Sequence, residues 1–441
     1  MCIRDSVKKL IQTFQNIFKI EELKKRILYT LGLLLIYRFG SFVVIPGINP
    51  NALSSLADQV SGTGLLGLLD IFSGGAFANA SIFALGVMPY ISASIIMQLV
   101  GMVIPYFQRM QREGESGRRK MNQWTRYLTI IVLLLQGSAY IANLYHKLPS
   151  EAFVLGPDNF LFKVSTIVVL TAGTMFVMWL GEKITDKGLG NGISLIIMVG
   201  IIARLPQALL VEFNMRWAEA VGGMVMLVVE IVILYLVFMA TISVLQAVRK
   251  VPVQYAKRIV GRKQYGGQNT YMPIKVNMSG VLPIIFASTF LAIPGTIVGF
   301  VDPNAEGGFA KFISNVFSTN SIWYAILYFI LIILFNYFYI AIQYNPIEMA
   351  NNIRKNNGAI PGIRPGKPTS DFISRIISKT TLTGALMLAV IAILPIILGA
   401  VANMNISMGG TSIIIVVGVA LDTARSLESQ MMMRHYKGFL E

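Results

Sequence analysis

The sequence predicts an all-α integral membrane protein: ten transmembrane helices in two pseudo-symmetric, inverted halves around a central pore, with a short re-entrant element. Three observations carry this expectation. The chain has 441 residues, 55% of them hydrophobic and only 13% charged, with a mean hydropathy of +0.65; soluble domains carry about 25% charged residues. Ten apolar runs approach or reach the roughly 20 helical residues that cross a hydrocarbon core about 30 Å thick. Between Ser61 and Gly75 lies another apolar stretch, SGTGLLGLLDIFSGG, which is too short to cross, carries Asp70, and is broken by Gly62, Gly64, Gly67, Gly74 and Gly75. A segment of that kind sits at membrane depth only where it is buried in protein or lines a water-filled cavity. It therefore implies an enclosed pore and transport rather than anchoring.

The ten predicted spans are Ile27–Ile45, Ala80–Ile104, Tyr127–Tyr145, Phe160–Leu180, Gly192–Leu210, Ala220–Val244, Ser279–Val301, Ile322–Gln343, Leu382–Val401 and Gly409–Leu427. The last is the weakest, because Asp422 and Arg425 fall in its final turns. Lysine and arginine set the orientation. With both termini placed in the cytoplasm, 31 of the 37 fall on one side. The other six are Arg38, Lys147, Lys163, Arg204, Arg216 and Lys311. Ten spans divide into five and five, about residues 1–212 and 213–441. Because five is odd, the second set enters from the opposite face, as in inverted repeats. No apolar stretch before Ile27 ends in a small-residue cleavage site, so no cleaved leader is expected.

The net charge of +16 follows mostly from the positive-inside bias. The loops at about 249–276 and 344–379 are longer than a connection needs, which fits docking of an acidic or phosphate-rich partner. The only cysteine is Cys2, so no intramolecular disulfide forms, and the two histidines, His146 and His435, leave little for metal or acid–base chemistry. Gly366-Lys367 superficially resembles a phosphate loop, but Pro361 and Pro368 stand where its first glycine and its Ser/Thr belong. No HExxH is present. No cofactor and no metal are expected, and energy must come from a partner or the membrane potential.

Several segments go further: FSGGAFANASIFALGVMPYISASIIMQL (Phe72–Leu99), GESGRRK (Gly114–Lys120), GTMFVMWLGEKITDKGLGNGIS (Gly173–Ser194), KVNMSGVLPIIFAS (Lys275–Ser288), NGAIPGIRPGKPT (Asn357–Thr369) and GGTSIIIVV (Gly409–Val417). In order and with matching spans from about Phe18 onward, they resemble the SecY family, the channel subunits of the bacterial protein translocase. The resemblance implies a clam-shell of two five-helix halves around an hourglass pore. The plug, about 61–75, would include Leu65, Leu66, Leu68, Asp70 and Phe72. A constriction would be formed by Val87, Ile91, Ile193, Ile197, Ile285 and Ile415, with Val87 smaller than the isoleucine often found there. Val87/Ile91 and Ile193/Ile197 are each four apart, so each pair shares a helix face. An apolar constriction excludes ions by dewetting and offers no fixed group that selects one solute. Any one of these residues, taken without the resemblance, is more often simple helix packing.

Gln98, Gln136 and Asn277 lie within apolar spans, where polar groups need partners. The resemblance makes them the polar cluster of a lateral gate; the plainer reading is ordinary interhelical bonding. Arg364 sits in PGIRPG, where prolines and glycines preset the turn and the guanidinium can clasp carboxylate or phosphate. The resemblance makes Arg364, with Lys257, Arg258 and Arg262, the contact for SecA ATPase or a translating ribosome. It further implies SecE clamping the halves, SecG nearby, and SecDF and a YidC-type insertase as associates. Membrane lipids and signal-sequence-bearing polypeptides complete the set, in the bacterial cytoplasmic membrane. Arg38 and Glu230 lie within the membrane and should be functional, but the sequence assigns them no role. The function implied is a protein-conducting channel that performs no chemistry. The alternatives are an inverted-repeat secondary solute transporter, which needs convergent polar groups at mid-membrane, and an intramembrane enzyme, which needs an acid–base set this chain does not display.

Overall fold

The computed structural model describes residues 20–50, 53, 70, 72–149, 152–153, 159–218, 223–255, 258–260, 263–265, 269–301, 316–317, 321–402 and 410–437. The predicted plug residues Leu65, Leu66 and Leu68, and the predicted contacts Lys257 and Arg262, lie outside the described residues. A helix occupies each of the ten predicted segments. These are α1 (Glu21–Gly40), α2 (Met88–Val103), α4 (Glu115–Lys147), α5 (Phe160–Lys187), α6 (Gly192–Ala218), α7 (Gly223–Gln246), α8 (Leu282–Val301), α9 (Ile322–Gln343), α11 (Lys367–Ala402) and α12 (Gly410–Lys437). Two short helices, α3 (Pro105–Arg112) and α10 (Pro346–Lys355), stand between them. Among the described residues, α4, α5, α6, α7, α9, α11 and α12 contain stretches long and apolar enough to cross a membrane. α2 has only 16 residues, and α1 opens on Glu21, Glu22, Lys24, Lys25 and Arg26.

The helices depart from the predicted spans at their ends. α1 stops at Gly40 rather than Ile45, because the chain beyond it pairs with the segment before α2. Ile45 N–H donates to the Ala80 carbonyl at 2.9 Å and Ile82 N–H to the Val43 carbonyl at 2.9 Å. α2 starts at Met88, eight residues later than expected. Residues 80–87 are turns, with Gly86 at φ +53°, and Pro89 fits the helix entrance, where a missing N–H costs nothing. α4 and α11 start 12 and 15 residues before their apolar runs, since polar helix formers prolong a helix beyond the membrane. Side-chain caps mark other starts. Asn159 accepts the Leu161 N–H at 3.0 Å and Asn345 the Ile347 N–H at 3.1 Å, each satisfying an orphan amide.

The chain forms two compact units, one of Met1–Leu210 with Gly299–Asn304 and Val419–Glu441, the other of Val211–Val298 with Ala305–Gly418. In the first, α2 packs on α4, α4 on α5 and α1 on α5. An apolar core gathers Ile45, Ile48, Phe77, Leu133, Tyr140, Leu144, Phe153, Phe162 and Leu170. In the second, α11 packs against α9, α10 and α7.

The described part of the long loop after α7 is built of strands. It forms β1 (Val248–Tyr255), β2 (Arg258–Val260), β3 (Lys263–Tyr265) and β4 (Asn269–Lys275). β1 pairs antiparallel with β4 and, through Gln254 and Tyr255, with the short β5 (Gly358–Ala359); β2 pairs with β3. Val251 and Val253 face a core with Ile274, Met278, Ile340, Ala350, Ile353, Ile360, Ile373 and Ile377. The two predicted loops thus fold as one sheet-and-helix element around the first turns of α11.

Candidate functional site: the segment before α2 and its anchors

The described end of the predicted plug, Asp70 and Phe72, and the turns that follow it are held by side chains from three helices. Asp70 is only 5% exposed, so its carboxylate needs partners. Oδ1 accepts the Ala78 N–H at 2.8 Å, and Oδ2 pairs with the Arg204 guanidinium of α6. The Asp70 carbonyl takes the Gly75 N–H at 2.9 Å and the Ser73 hydroxyl at 3.1 Å. From α1, Tyr37 donates its hydroxyl to the Ser73 carbonyl at 3.2 Å, and Arg38 donates to the Gly74 carbonyl at 2.5 Å. From α4, the buried Tyr140 donates to the Phe77 carbonyl at 3.0 Å. Gly74, at φ +67°, comes so close to Gly200 of α6 that a Cβ there would sit 2.8 Å from the Gly200 Cα.

Sequence reasoning singled out Arg38 without a role; the structure gives it the Gly74 carbonyl and the Phe42 ring, 4.7 Å from its guanidinium carbon. Arg204, Tyr37 and Tyr140 were not singled out as site residues. The available signal was Arg204 itself, a charge inside an apolar run, but its partner lies 134 residues away. Glu230, the other unassigned intramembrane charge, belongs to the second unit. It accepts from Arg216 at 2.7 Å, and Arg216 also reaches Glu212 at 3.1 Å. Arg216 and Glu230 are both 8% exposed.

Of the predicted constriction residues, four fall in the first unit and two in the second. Val87 and Ile91 are buried and joined by the first turn of α2, Ile91 N–H donating to the Val87 carbonyl at 3.0 Å. Ile197 is buried in α6. Ile193, one turn earlier, is half-buried and packs on Gly181 of α5, where a Cβ would meet its Cγ1 at 2.7 Å. Ile285 in α8 and Ile415 in α12 are buried.

Two of the three predicted gate residues, Gln98 and Asn277, bond close to home. Gln98 is exposed on α2 and donates to Ser94, one turn away, at 3.5 Å. Gln136 is half-buried on α4, in the same unit. Asn277, in the second unit, is buried, donates to the Gly280 carbonyl at 3.1 Å and accepts from Ser279 at 3.2 Å.

Arg364 is exposed in its loop. The turn is fixed by the Ile363 N–H on the Ile360 carbonyl at 3.1 Å and by Thr369, whose hydroxyl donates to the Arg364 carbonyl at 2.9 Å. Gly362 and Gly366 on either side have φ of +81° and +109°. Arg258 opens β2. Among the described residues no three His, Cys, Asp or Glu side chains gather where a metal could bind.

A family model described as SecY matches residues 81–424. The protein translocase subunit SecY of Streptomyces coelicolor is 44% identical over 445 residues, covering 98% of this chain and all of that one. Those of Halalkalibacterium halodurans and Aquifex aeolicus are 44% and 41% identical, covering 98% and 96% of this chain and 100% and 98% of theirs. Among solved structures, one described as a protein conducting channel matches with a TM-score of 0.61 at 19% identity, over 92% of both chains. A SecY structure in which the plug domain is described as stabilising the closed state of the translocation channel and maintaining a membrane seal matches with 0.63 at 19%, again over 92% of both. Sec61 in the canine ribosome–channel complex matches with 0.57 at 17%, with the same coverage. The structural likenesses show a shared fold.

Proposed function

The chain belongs to the SecY family, and from that premise we propose that it is a protein-conducting channel that passes unfolded secretory polypeptides across a bacterial cytoplasmic membrane and releases apolar segments sideways into lipid. Both termini lie in the cytoplasm. The observation that carries this reading is the full-length match to translocase subunits, at 41–44% identity over 96–98% of the chain. It performs no chemistry on its cargo, and the polypeptide moves because a motor or ribosome pushes it.

Val87, Ile91, Ile193, Ile197, Ile285 and Ile415 form the constriction, and the segment ending at Phe72–Gly75 is the plug. Burial of five of the six apolar side chains supports this, since a closed apolar constriction excludes water. Gln98, Gln136 and Asn277 belong to the lateral gate. The present bonds of Gln98 and Asn277 are short-range, and that of Gln98 long, so they are easily exchanged when a signal sequence enters. The two halves divide near residue 212. SecE clamps them, SecG binds nearby, and SecDF and a YidC-type insertase associate with the assembly.

SecA or a ribosome docks on the basic cytoplasmic loops through Arg364, Arg258, Lys257 and Arg262. The exposure of Arg364 on a pinned turn supports that role, as does the fold shared with channels solved on ribosomes.

The test is disulfide crosslinking of an arrested secretory chain to Ile91→Cys or Ile197→Cys in a Cys2→Ser background. A crosslink that requires ATP and a signal sequence is the expected result. A properly arrested chain that touches no constriction position refutes the pore assignment and favours a solute transporter.

A further inference from the structure

We propose that Asp70, Arg204 and Arg38 form a charge clasp that sets how firmly the channel stays shut, with Asp70 as its indispensable member. The inference rests on the channel reading above and adds to it residues that hold the closed state.

Asp70 is the only charged residue between Asp58 and Arg109, so no neighbour in that stretch can replace it. Its two carboxylate oxygens face in different directions chemically. One is held by a backbone amide of the turn that follows, at Ala78, and the other by a side chain of α6, Arg204. Asp70 is therefore the joint between the plug segment and a helix that also carries Ile193 and Ile197. The turns beyond it are fixed independently, by Tyr37 on Ser73, Tyr140 on Phe77 and the pairing of Val43 and Ile45 with Ile82 and Ala80. Those bonds hold the collar whether or not Asp70 is charged, which leaves the clasp to secure the plug side of the joint.

The charges do not balance. Arg38 reaches the Gly74 carbonyl, and a Cβ on Gly75 would lie 3.0 Å from the Arg204 Nε. Both guanidiniums thus converge on the Gly74–Gly75 dipeptide. The Arg204 Nε is buried without a hydrogen-bond partner. Among the described residues Asp70 is the carboxylate paired with Arg204, while Arg38 is held by the Gly74 carbonyl and the Phe42 ring. Neutralising Asp70 leaves two guanidiniums against one dipeptide with no carboxylate paired to either, whereas neutralising Arg204 leaves Asp70 its Ala78 amide and a single cation at the adjoining Gly74. A structural hydrogen-bond network would make the two losses comparable; the clasp makes them unequal.

The experiment compares Asp70→Asn, Arg204→Gln, Arg204→Lys and the double variant Asp70→Asn/Arg204→Gln. The full-length channel is purified as its native membrane complex and reconstituted in vesicles. Chloride leak and transport of a precursor with a charge in its signal sequence are read, with Ile197→Ser as the reference for a broken seal. Breaking a buried pair shifts an equilibrium by about a hundredfold or more when nothing compensates. Asp70→Asn is expected to raise leak and defective-precursor transport by at least about tenfold. Arg204→Gln should raise them less, Arg204→Lys least, and the double variant should fall below Asp70→Asn, because it removes the excess charge. If Asp70→Asn does not accumulate, the order Arg204→Gln above Arg204→Lys carries the same test. Variants as tight as the parent beside a leaking Ile197→Ser overturn the clasp and leave the channel reading standing. Equal leak from Asp70→Asn and Arg204→Gln overturns the charge argument. A tight Ile197→Ser overturns the constriction assignment of the proposed function and the clasp with it.

Discussion

Gly74→Ala should be among the most costly single-methyl additions in this chain, and the structure separates the reasons. Gly74 has φ +67°, a left-handed conformation in which a Cβ costs roughly 1–2 kcal/mol. Its Cβ would also sit 2.8 Å from the Cα of Gly200 and 3.3 Å from the Gly200 carbonyl. Both are backbone atoms of α6, so no rotamer can yield. Overpacking of this kind adds about 1–3 kcal/mol, for a total of roughly 2–5 kcal/mol.

Gly280 supplies the control. Its φ is +67°, equal to that of Gly74, and a Cβ there would meet nothing within 4 Å. Gly280→Ala therefore pays only the conformational part, and the gain from a stiffer unfolded chain is the same for both. The difference, about 1–3 kcal/mol, isolates the close approach to α6. Denaturation midpoints of the two variants in mixed detergent micelles measure it. Equal costs would refute the contact between the segment before α2 and Gly200.

Other expectations follow from the same geometry. Under the proposed constriction, Ile91→Ser and Ile197→Ser each place a hydroxyl in its apolar wall, and conductance across planar bilayers should rise with folding intact; an unchanged seal removes those residues from the pore. Arg364→Glu reverses the charge on the pinned turn and should depress motor- or ribosome-driven export severalfold without lowering channel abundance, as read by precursor protection in vesicles. Arg216→Ala strands both Glu230 and Glu212 and should cost about 3–5 kcal/mol in the same unfolding assay, part of it recovered in Arg216→Gln/Glu230→Gln, which leaves only the more exposed Glu212 charged.

Apolar runs carried the helices across, because a bilayer demands a long uninterrupted stretch and few residue types meet the demand. Their ends were harder. The membrane sets the length of the run, while hydrogen bonding and polar helix formers set the length of the helix, so α4 and α11 outrun their apolar parts. The sheet after α7 escaped notice for another reason. Pro252 sits in β1 and Pro273 in β4, and proline is a poor sign of strand. Yet Pro252 lies opposite Tyr271 and Pro273 opposite Lys250, while Val251 and Val253 keep the inward alternation.

The buried charges were visible one at a time and unreadable as pairs. Arg38 sits 36 residues from Gly74, Arg204 is 134 from Asp70, and no local spacing announces such partners. Arg216 and Glu230 are only 14 apart, but on two successive helices, and no helical spacing pairs residues across that break.

α11 is 36 residues long, about 54 Å, against a hydrocarbon core of roughly 30 Å. Its apolar run begins only at Leu382, so the turns bearing Ile373 and Ile377 precede the part apolar enough for lipid. Those two side chains are locked among Val251, Val253 and Ile353. Pro395, the proline in the helix interior, comes 18 positions after Ile377. The sheet is thus bolted to the handle of a rigid lever whose blade lies in the membrane, and torque applied to the sheet turns that blade with it.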